Sequence, residues 1–216
     1  MGMIKLPSES INFFKHHVED IFESGNFAEG KWNQNIVSFI QEMTGAKHAL
    51  ATNSNGSGSV ALMSLYRNKY NRNKVILQSN TMYGVKAWIE ASGCSLGGYI
   101  DCSIETLMPT YNDVHKFINN LSTRDKNRSM IILTHIGGII NPDIDQIALY
   151  CKKEGVILIE DCAHSLGSTY KNKHSGLFGD AGVYSFYATK AIPAGEGGIV
   201  VTNDEEIGYM VQKFCM

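Results

Sequence analysis

Val156-Ile157-Leu158-Ile159-Glu160-Asp161 is four consecutive apolar residues, three of them β-branched, closing on two carboxylates. A strand with one face in water alternates apolar and polar side chains, whereas an unbroken apolar run suits a strand covered on both faces. Met130-Ile131-Ile132-Leu133 has the same character, so both are expected as central strands. Outward from them, short apolar runs recur at His48 to Thr52, Val75 to Gln78, Gly98 to Asp101, Met130 to His135, Val156 to Glu160, Gly182 to Tyr187 and Ile199 to Thr202, separated by helical patterns. That alternation predicts an α/β fold: a three-layer sandwich with a mostly parallel mixed sheet and helices on both faces. Ahead of the sheet, Ile11, Phe14, Val18, Ile21 and Phe22 recur at helical spacing until Ser24-Gly25, and a second helix is predicted from about Trp32 to Met43, ending at Gly45.

The 216 residues are 44% hydrophobic and carry a net charge of -2, which suits a soluble globular domain with a sizeable core. Apart from a Lys and Arg cluster between Arg67 and Lys74, read as a solvated loop, no basic stripe stands out, which argues against a nucleic-acid partner. The five cysteines, Cys94, Cys102, Cys151, Cys162 and Cys215, are odd in number and lack metal-ligand spacing. They are expected mostly as small core residues in a reducing compartment, with no metal site. Neither a leader pattern in Met1 to Asp20 nor a bilayer-length apolar run is present, so the expectation is a cytoplasmic protein without a membrane partner.

Ligands of an open parallel sheet gather at the carboxyl ends of its strands. That places His135, Glu160, Asp161 and the segment Ser185 to Lys190 along one edge. Lys190 closes the run Val183-Tyr184-Ser185-Phe186-Tyr187-Ala188-Thr189-Lys190, is followed by Gly195-Glu196-Gly197-Gly198, and lies 29 residues beyond Asp161. Alone, a lysine is ordinarily a solvated surface residue and a strand-end Glu-Asp pair a helix cap. Together they have the make-up of a pyridoxal 5'-phosphate site, which needs an amine for the covalent link and a carboxylate to keep the pyridine nitrogen protonated. The stretch Ala51 to Leu62, with Gly56 and Gly58, is a strand end, a glycine-rich turn and a helix start. Open N–H groups and the helix dipole make such a turn an anion site, although Ser57 or Ser59 capping an ordinary turn accounts for it equally.

These motifs in this order resemble the DegT/DnrJ/EryC1/StrS sugar aminotransferases, of the aspartate aminotransferase fold (fold type I), over nearly the whole chain. Ser57-Gly58-Ser59-Val60-Ala61-Leu62 is similar to the family's Ser-Gly-Thr-x-Ala-Leu. Glu160-Asp161-Cys162-Ala163-His164 looks like its Glu-Asp-x-Ala-Gln/His run. Gly176-x-x-Gly179-Asp180 matches the family's next segment, and Ser185-Phe186-x-x-x-Lys190 with Gly195-Glu196-Gly197-Gly198 matches its lysine signature. The resemblance implies that Lys190 forms the Schiff base and moves the proton, that Asp161 pairs with the pyridine nitrogen, and that His164 contacts the 3-oxygen side. It also implies that Ser185, with Gly58 and Ser59, holds the phosphate.

Two positions depart from the family. Met82 stands where Phe or Trp usually stacks on the ring, and Gly137 where an aromatic is common after His-x. Met82 would cover the ring through its polarizable sulfur. The resemblance further implies that residues 1–30 form an N-terminal helix and loop and that residues 31–216 form the cofactor-binding large domain. The family's C-terminal small domain, with its sugar-binding residues, is absent from this sequence. The implied activity is transfer of an amino group from an amino acid, typically glutamate, to a nucleotide-linked keto sugar for surface polysaccharide or amino-sugar biosynthesis. It would require a homodimer or a complex with a polypeptide supplying the C-terminal half. Sugar dehydration, run by relatives with histidine in place of the lysine, is disfavoured by Lys190. The alternative is a truncated, non-catalytic homologue serving as a binding or assembly subunit.

Overall fold

The computed structural model describes residues 4–215, with side chains through residue 213. The chain begins with α1 (Ser8–Ser24) and α2 (Lys31–Thr44), then β1 (His48–Thr52), α3 (Asn55–Tyr70), β2 (Lys74–Gln78), α4 (Gly84–Ala91) and β3 (Ser95–Ile100). After α5 (Tyr111–Asn119) and the short α6 (Thr123–Lys126) come β4 (Ser129–Thr134), α7 (Ile144–Glu154) and β5 (Ile157–Cys162). A small hairpin of β6 (Thr169–Tyr170) and β7 (Lys173–His174) precedes β8 (Ala181–Ser185), β9 (Gly198–Thr202) and α8 (Glu205–Cys215). All seven predicted strands form one sheet in the order β1-β9-β8-β5-β4-β2-β3. Only β9 opposes the rest, pairing antiparallel with both β1 and β8.

Period-two alternation sorts the strand side chains into two cores. Met130 and Ile132 of β4, Ile159 of β5, Ala181 and Val183 of β8 and Val200 of β9 face a layer containing α3, α4 and α8. Ile131, Leu133 and Leu158 face α5 and α7 on the other side, while Tyr184, Ile199 and Val201 meet α2 there. The result is the predicted three-layer sandwich with a mostly parallel mixed sheet. Each Val, Leu, Ile or Met among them contributes about 1.5–3 kcal/mol by leaving water.

The first two helices form with the predicted ends, stopping at Gly25 and Gly45 in the left-handed conformation that glycine adopts without a Cβ clash. The apolar stripe of α1 does not enter the core, however. Phe14 and Phe22 remain exposed, the latter by 66%, because no described element lies over that face. One further expectation is corrected and one is met. The cluster from Arg67 to Lys74 is not a free loop: Arg72 donates to the carbonyls of Lys126 (3.2 Å) and Gly155 (2.5 Å), and Lys74 pairs with Asp125 at 2.6 Å. Cys94, Cys151 and Cys162 are buried as expected, but Cys102 is only half-buried, and the Cys215 side chain lies outside the described residues.

Candidate active site

Adjacent residues on a strand point to opposite faces, and at the end of β5 this sends two carboxylates to different tasks. Glu160 turns toward the Gly176–Gly179 loop. Its Oε1 accepts the N–H groups of Phe178 (2.6 Å) and Gly179 (2.7 Å), and its Oε2 accepts Gly176 N–H (2.8 Å) and His135 Nε2 (2.8 Å). Asn141 N–H donates to His135 Nδ1 at 3.2 Å, so the histidine proton sits on Nε2 and the ring is neutral. Cys162 completes a buried trio within 4.8 Å. His135 and Glu160 form a hydrogen-bond hub with every ring and carboxylate position engaged, and burial pushes the Cys162 thiol up. The His135–Glu160 pair has no ring nitrogen or carboxylate oxygen left over for a metal ion.

Asp161 turns toward α3 and lines a cleft of about 310 Å³, along with Asn55, Gly56, Trp88, His164, Ser185 and Lys190. Its Oδ1 accepts Asn55 Nδ2 (3.2 Å) and Ala163 N–H (3.1 Å), and its Oδ2 accepts Thr134 Oγ1 at 3.3 Å. Thr81 and Thr134 share a further hydroxyl bond at 3.0 Å. A larger groove of about 590 Å³, between Phe27, Asn33 and Asn53, has Glu29 as its single ionisable wall residue. Amine, imidazole and carboxylate converge in the cleft.

Lys190 sits where the chain leaves β8. The β8–β9 pairing continues past the strand ends through Phe186 N–H to Gly197 O (2.9 Å) and Ala188 N–H to Gly195 O (3.0 Å), which carries the lysine out on a short ladder. Burial lowers its pKa, and the Asp161 charge partly opposes this. His164 is likewise lowered, first by burial and then by the Lys190 charge, against Asp161. The site therefore favours a neutral imidazole and a readily deprotonated amine.

At the start of α3, Ser54 and Ser57 form a reciprocal capping box. Ser57 N–H bonds to Ser54 Oγ (3.0 Å) and Gly58 N–H to Ser54 O (3.2 Å), which leaves Asn55 and Gly56 N–H as the open donors of this turn among the described residues. Gly58 and Ser59, expected at the phosphate, do not line the cleft, whereas Asn55 and Gly56 do. A Cβ on Gly58 would lie 2.9 Å from both Val183 Cγ1 and Val200 Cγ2, so that glycine allows α3 to press on the sheet, and Ser59 is buried away from the cleft. Of the other expected residues, Ser185, His164, Lys190, Asp161 and Met82 all line the cleft, Met82 at its open side and 55% exposed. Sequence reasoning misses Asn55 and Trp88. An Asn beside a glycine-rich turn reads as a cap, and Trp88 reads as part of an amphipathic helix. The one signal is Gly56, whose absent Cβ leaves room for the Trp88 indole (2.8 Å from where that atom would be).

The residues present fit pyridoxal phosphate. The cleft has a lysine shifted toward its neutral form, a carboxylate fixed by three donors, two open backbone N–H groups, and the buried Asn55 Oδ1 without a protein partner. The sheet order and the helices on both faces are those of the fold type I class. The sequence profile of the DegT/DnrJ/EryC1/StrS aminotransferase family matches residues 9–216, and the chain belongs to that family. It is 30% identical over 207 residues to the UDP-4-amino-4,6-dideoxy-N-acetyl-beta-L-altrosamine transaminase of Helicobacter pylori, covering 93% of this chain and 51% of that one. Among solved structures it resembles Helicobacter pylori PseC, an aminotransferase involved in the biosynthesis of pseudoaminic acid. The TM-score is 0.79 at 28% identity, over 98% of this chain and 54% of PseC. The fold is shared with a DegT DnrJ EryC1 StrS aminotransferase from Brucella abortus, at a TM-score of 0.84 and 22% identity over 99% and 58% of the two chains. The chain spans about half the length of these relatives.

Proposed function

We propose that the chain is the cofactor-bearing part, residues 31–216 with residues 1–30 as an N-terminal arm, of an enzyme that moves an amino group from an amino acid, glutamate by resemblance, to a nucleotide-linked keto sugar. The observation that carries this reading is the convergence of Lys190, Asp161 and His164 on one cleft beside the open turn of α3. The transaminase of an amino sugar and the aminotransferase of pseudoaminic acid biosynthesis to which the chain is similar support the sugar class. Surface-polysaccharide or amino-sugar synthesis in the cytoplasm is the corresponding setting. Among the described residues no helix is long and apolar enough to cross a membrane.

Bound pyridoxal phosphate would supply an electron sink that stabilises negative charge at the substrate carbon. Lys190 would hold the group covalently and then carry a proton to and from that carbon, helped by burial, which leaves its amine in the base form at lower pH than an exposed lysine. Asp161 would keep a proton on the ring nitrogen. His164, neutral and hydrogen-bonding, would face the ring's 3-oxygen. The N–H groups of Asn55 and Gly56, together with the Ser185 hydroxyl, would hold the phosphate, and Met82 would cover the ring. The exposed face of α1, bearing Phe14 and Phe22, would be covered by a second copy or by a polypeptide equivalent to the relatives' other half.

Incubation with pyridoxal phosphate followed by borohydride and peptide mapping tests this. The adduct is expected on Lys190 and lost in Lys190→Ala. Labelling of another lysine would refute the assignment.

A further inference from the structure

Asn55 makes two side-chain hydrogen bonds to which the family resemblance assigns no role. Its side-chain amide donates one proton to Val183 O at 2.7 Å and the other to Asp161 Oδ1 at 3.2 Å. Both partners are acceptors only, so the amide cannot be turned over: its oxygen would then face a carbonyl and a carboxylate. The Val183 bond therefore fixes where the second N–H points. Of the three donors on Asp161, Ala163 N–H comes from the turn that immediately succeeds it, and Thr134 Oγ1 is a hydroxyl that can rotate toward Thr81. Asn55 alone reaches the carboxylate from another element with its orientation locked.

The same residue is the first of α3, and its backbone N–H is one of the two open donors of the anion-binding turn. Asn55 is 5% exposed, and its Oδ1 is buried without a partner. We propose that Asn55 is a positioning residue that acts through Asp161: it sets the distance and angle between the turn that takes the phosphate and the carboxylate that takes the ring nitrogen. This role deepens the proposed aminotransferase function and rests on it.

The test uses the full chain with two ligands, pyridoxal phosphate and its 1-deaza analogue, in which the ring nitrogen is replaced by carbon. Asn55→Ala should weaken binding of pyridoxal phosphate roughly ten-fold, within the range of one hydrogen bond to a charged group. It should weaken binding of the deaza analogue several-fold less, since alanine keeps the backbone N–H that meets the phosphate, and should add no further loss on top of Asp161→Asn. Equal losses for both ligands, or additivity with Asp161→Asn, would overturn the inference, since a structural role would move both. Independently of any cofactor, the Asn55 side-chain amide proton facing Asp161 should shift upfield in the NMR spectrum of Asp161→Asn. A resonance that stays in place also overturns it, whether or not Asn55→Ala folds. Failure of the wild-type chain to form the Lys190 adduct counts instead against the functional reading, while the amide shift still decides whether Asn55 holds Asp161.

Discussion

Glu160→Gln changes a carboxylate into an isosteric amide, and the structure sets the cost. Four N–H groups converge on the two oxygens, two on each. A glutamine can present its oxygen to only one pair, and its NH2 then faces the other. If it faces Phe178 and Gly179, both lose their acceptor. If it faces Gly176 and His135, the imidazole could move its proton to Nδ1 and accept at Nε2, but Nδ1–H would then oppose Asn141 N–H. Either way two buried donors are left unpaired, at about 1–3 kcal/mol each. The expected loss is about 2–6 kcal/mol, a large part of the roughly 5–15 kcal/mol that holds a domain together. Urea titration of the apoprotein should show the midpoint falling by roughly 1–3 M at unchanged slope. A shift under about 0.3 M would mean that the hub does not bear on stability and that the geometry drawn for it is wrong.

Ser185→Ala should weaken pyridoxal phosphate binding by about 1.5–3 kcal/mol, measured by calorimetry, with little change in the rate of the first half-reaction, because a phosphate contact is the same in ground and transition states. Unchanged affinity would place the phosphate elsewhere. Asp161→Asn should move the pH midpoint for capture of pyridoxal phosphate by Lys190 downward. Burial already holds that amine below the usual 10.5, and the Asp161 charge is what opposes the shift; an upward movement would contradict the pairing. The same variant should slow half-transamination sharply, and a wild-type rate would make the carboxylate structural only. Light scattering should find the purified chain associated rather than monomeric, since Phe13, Phe14, Phe22 and Phe27 are all more than half exposed. A stable monomer with full aminotransferase turnover would refute that.

The central strands are legible because burial on both faces leaves little room for anything but apolar residues, and Glu160-Asp161 marks where β5 stops. Other features depend on contacts remote in sequence. The run to Tyr187 reads as strand, but the regular register of β8 ends at Ser185 opposite Gly198, and beyond it only separate backbone bonds from Phe186 and Ala188 continue the ladder. That β9 runs against its neighbours comes from the tight return after Lys190, and no residue in Ile199 to Thr202 encodes it. The hairpin of β6 and β7 has too few residues to form a pattern. At the anion turn the resemblance points to Gly58 and Ser59, whereas the local capping box between Ser54 and Ser57 starts the helix earlier and brings Asn55 and Gly56 to the cleft. The roles of Asn55 and Glu160 are hidden for one reason: each is defined by partners 16 to 128 residues away.

Gly198, the residue at which β9 begins, rests on the backbone where α3 begins, and any Cβ there would lie 2.6 Å from Asn55 N. The lysine ladder is thus rooted on one side in β8, next to Ser185, and on the other against the first peptide of α3. Amine and anion-binding turn are then corners of one stiff frame rather than tips of separate loops. A ligand gripped at its phosphate would meet the lysine at a reach that thermal motion of the β8–β9 connection changes little. Lengthening that connection would slacken the frame while leaving each side chain of the site in place.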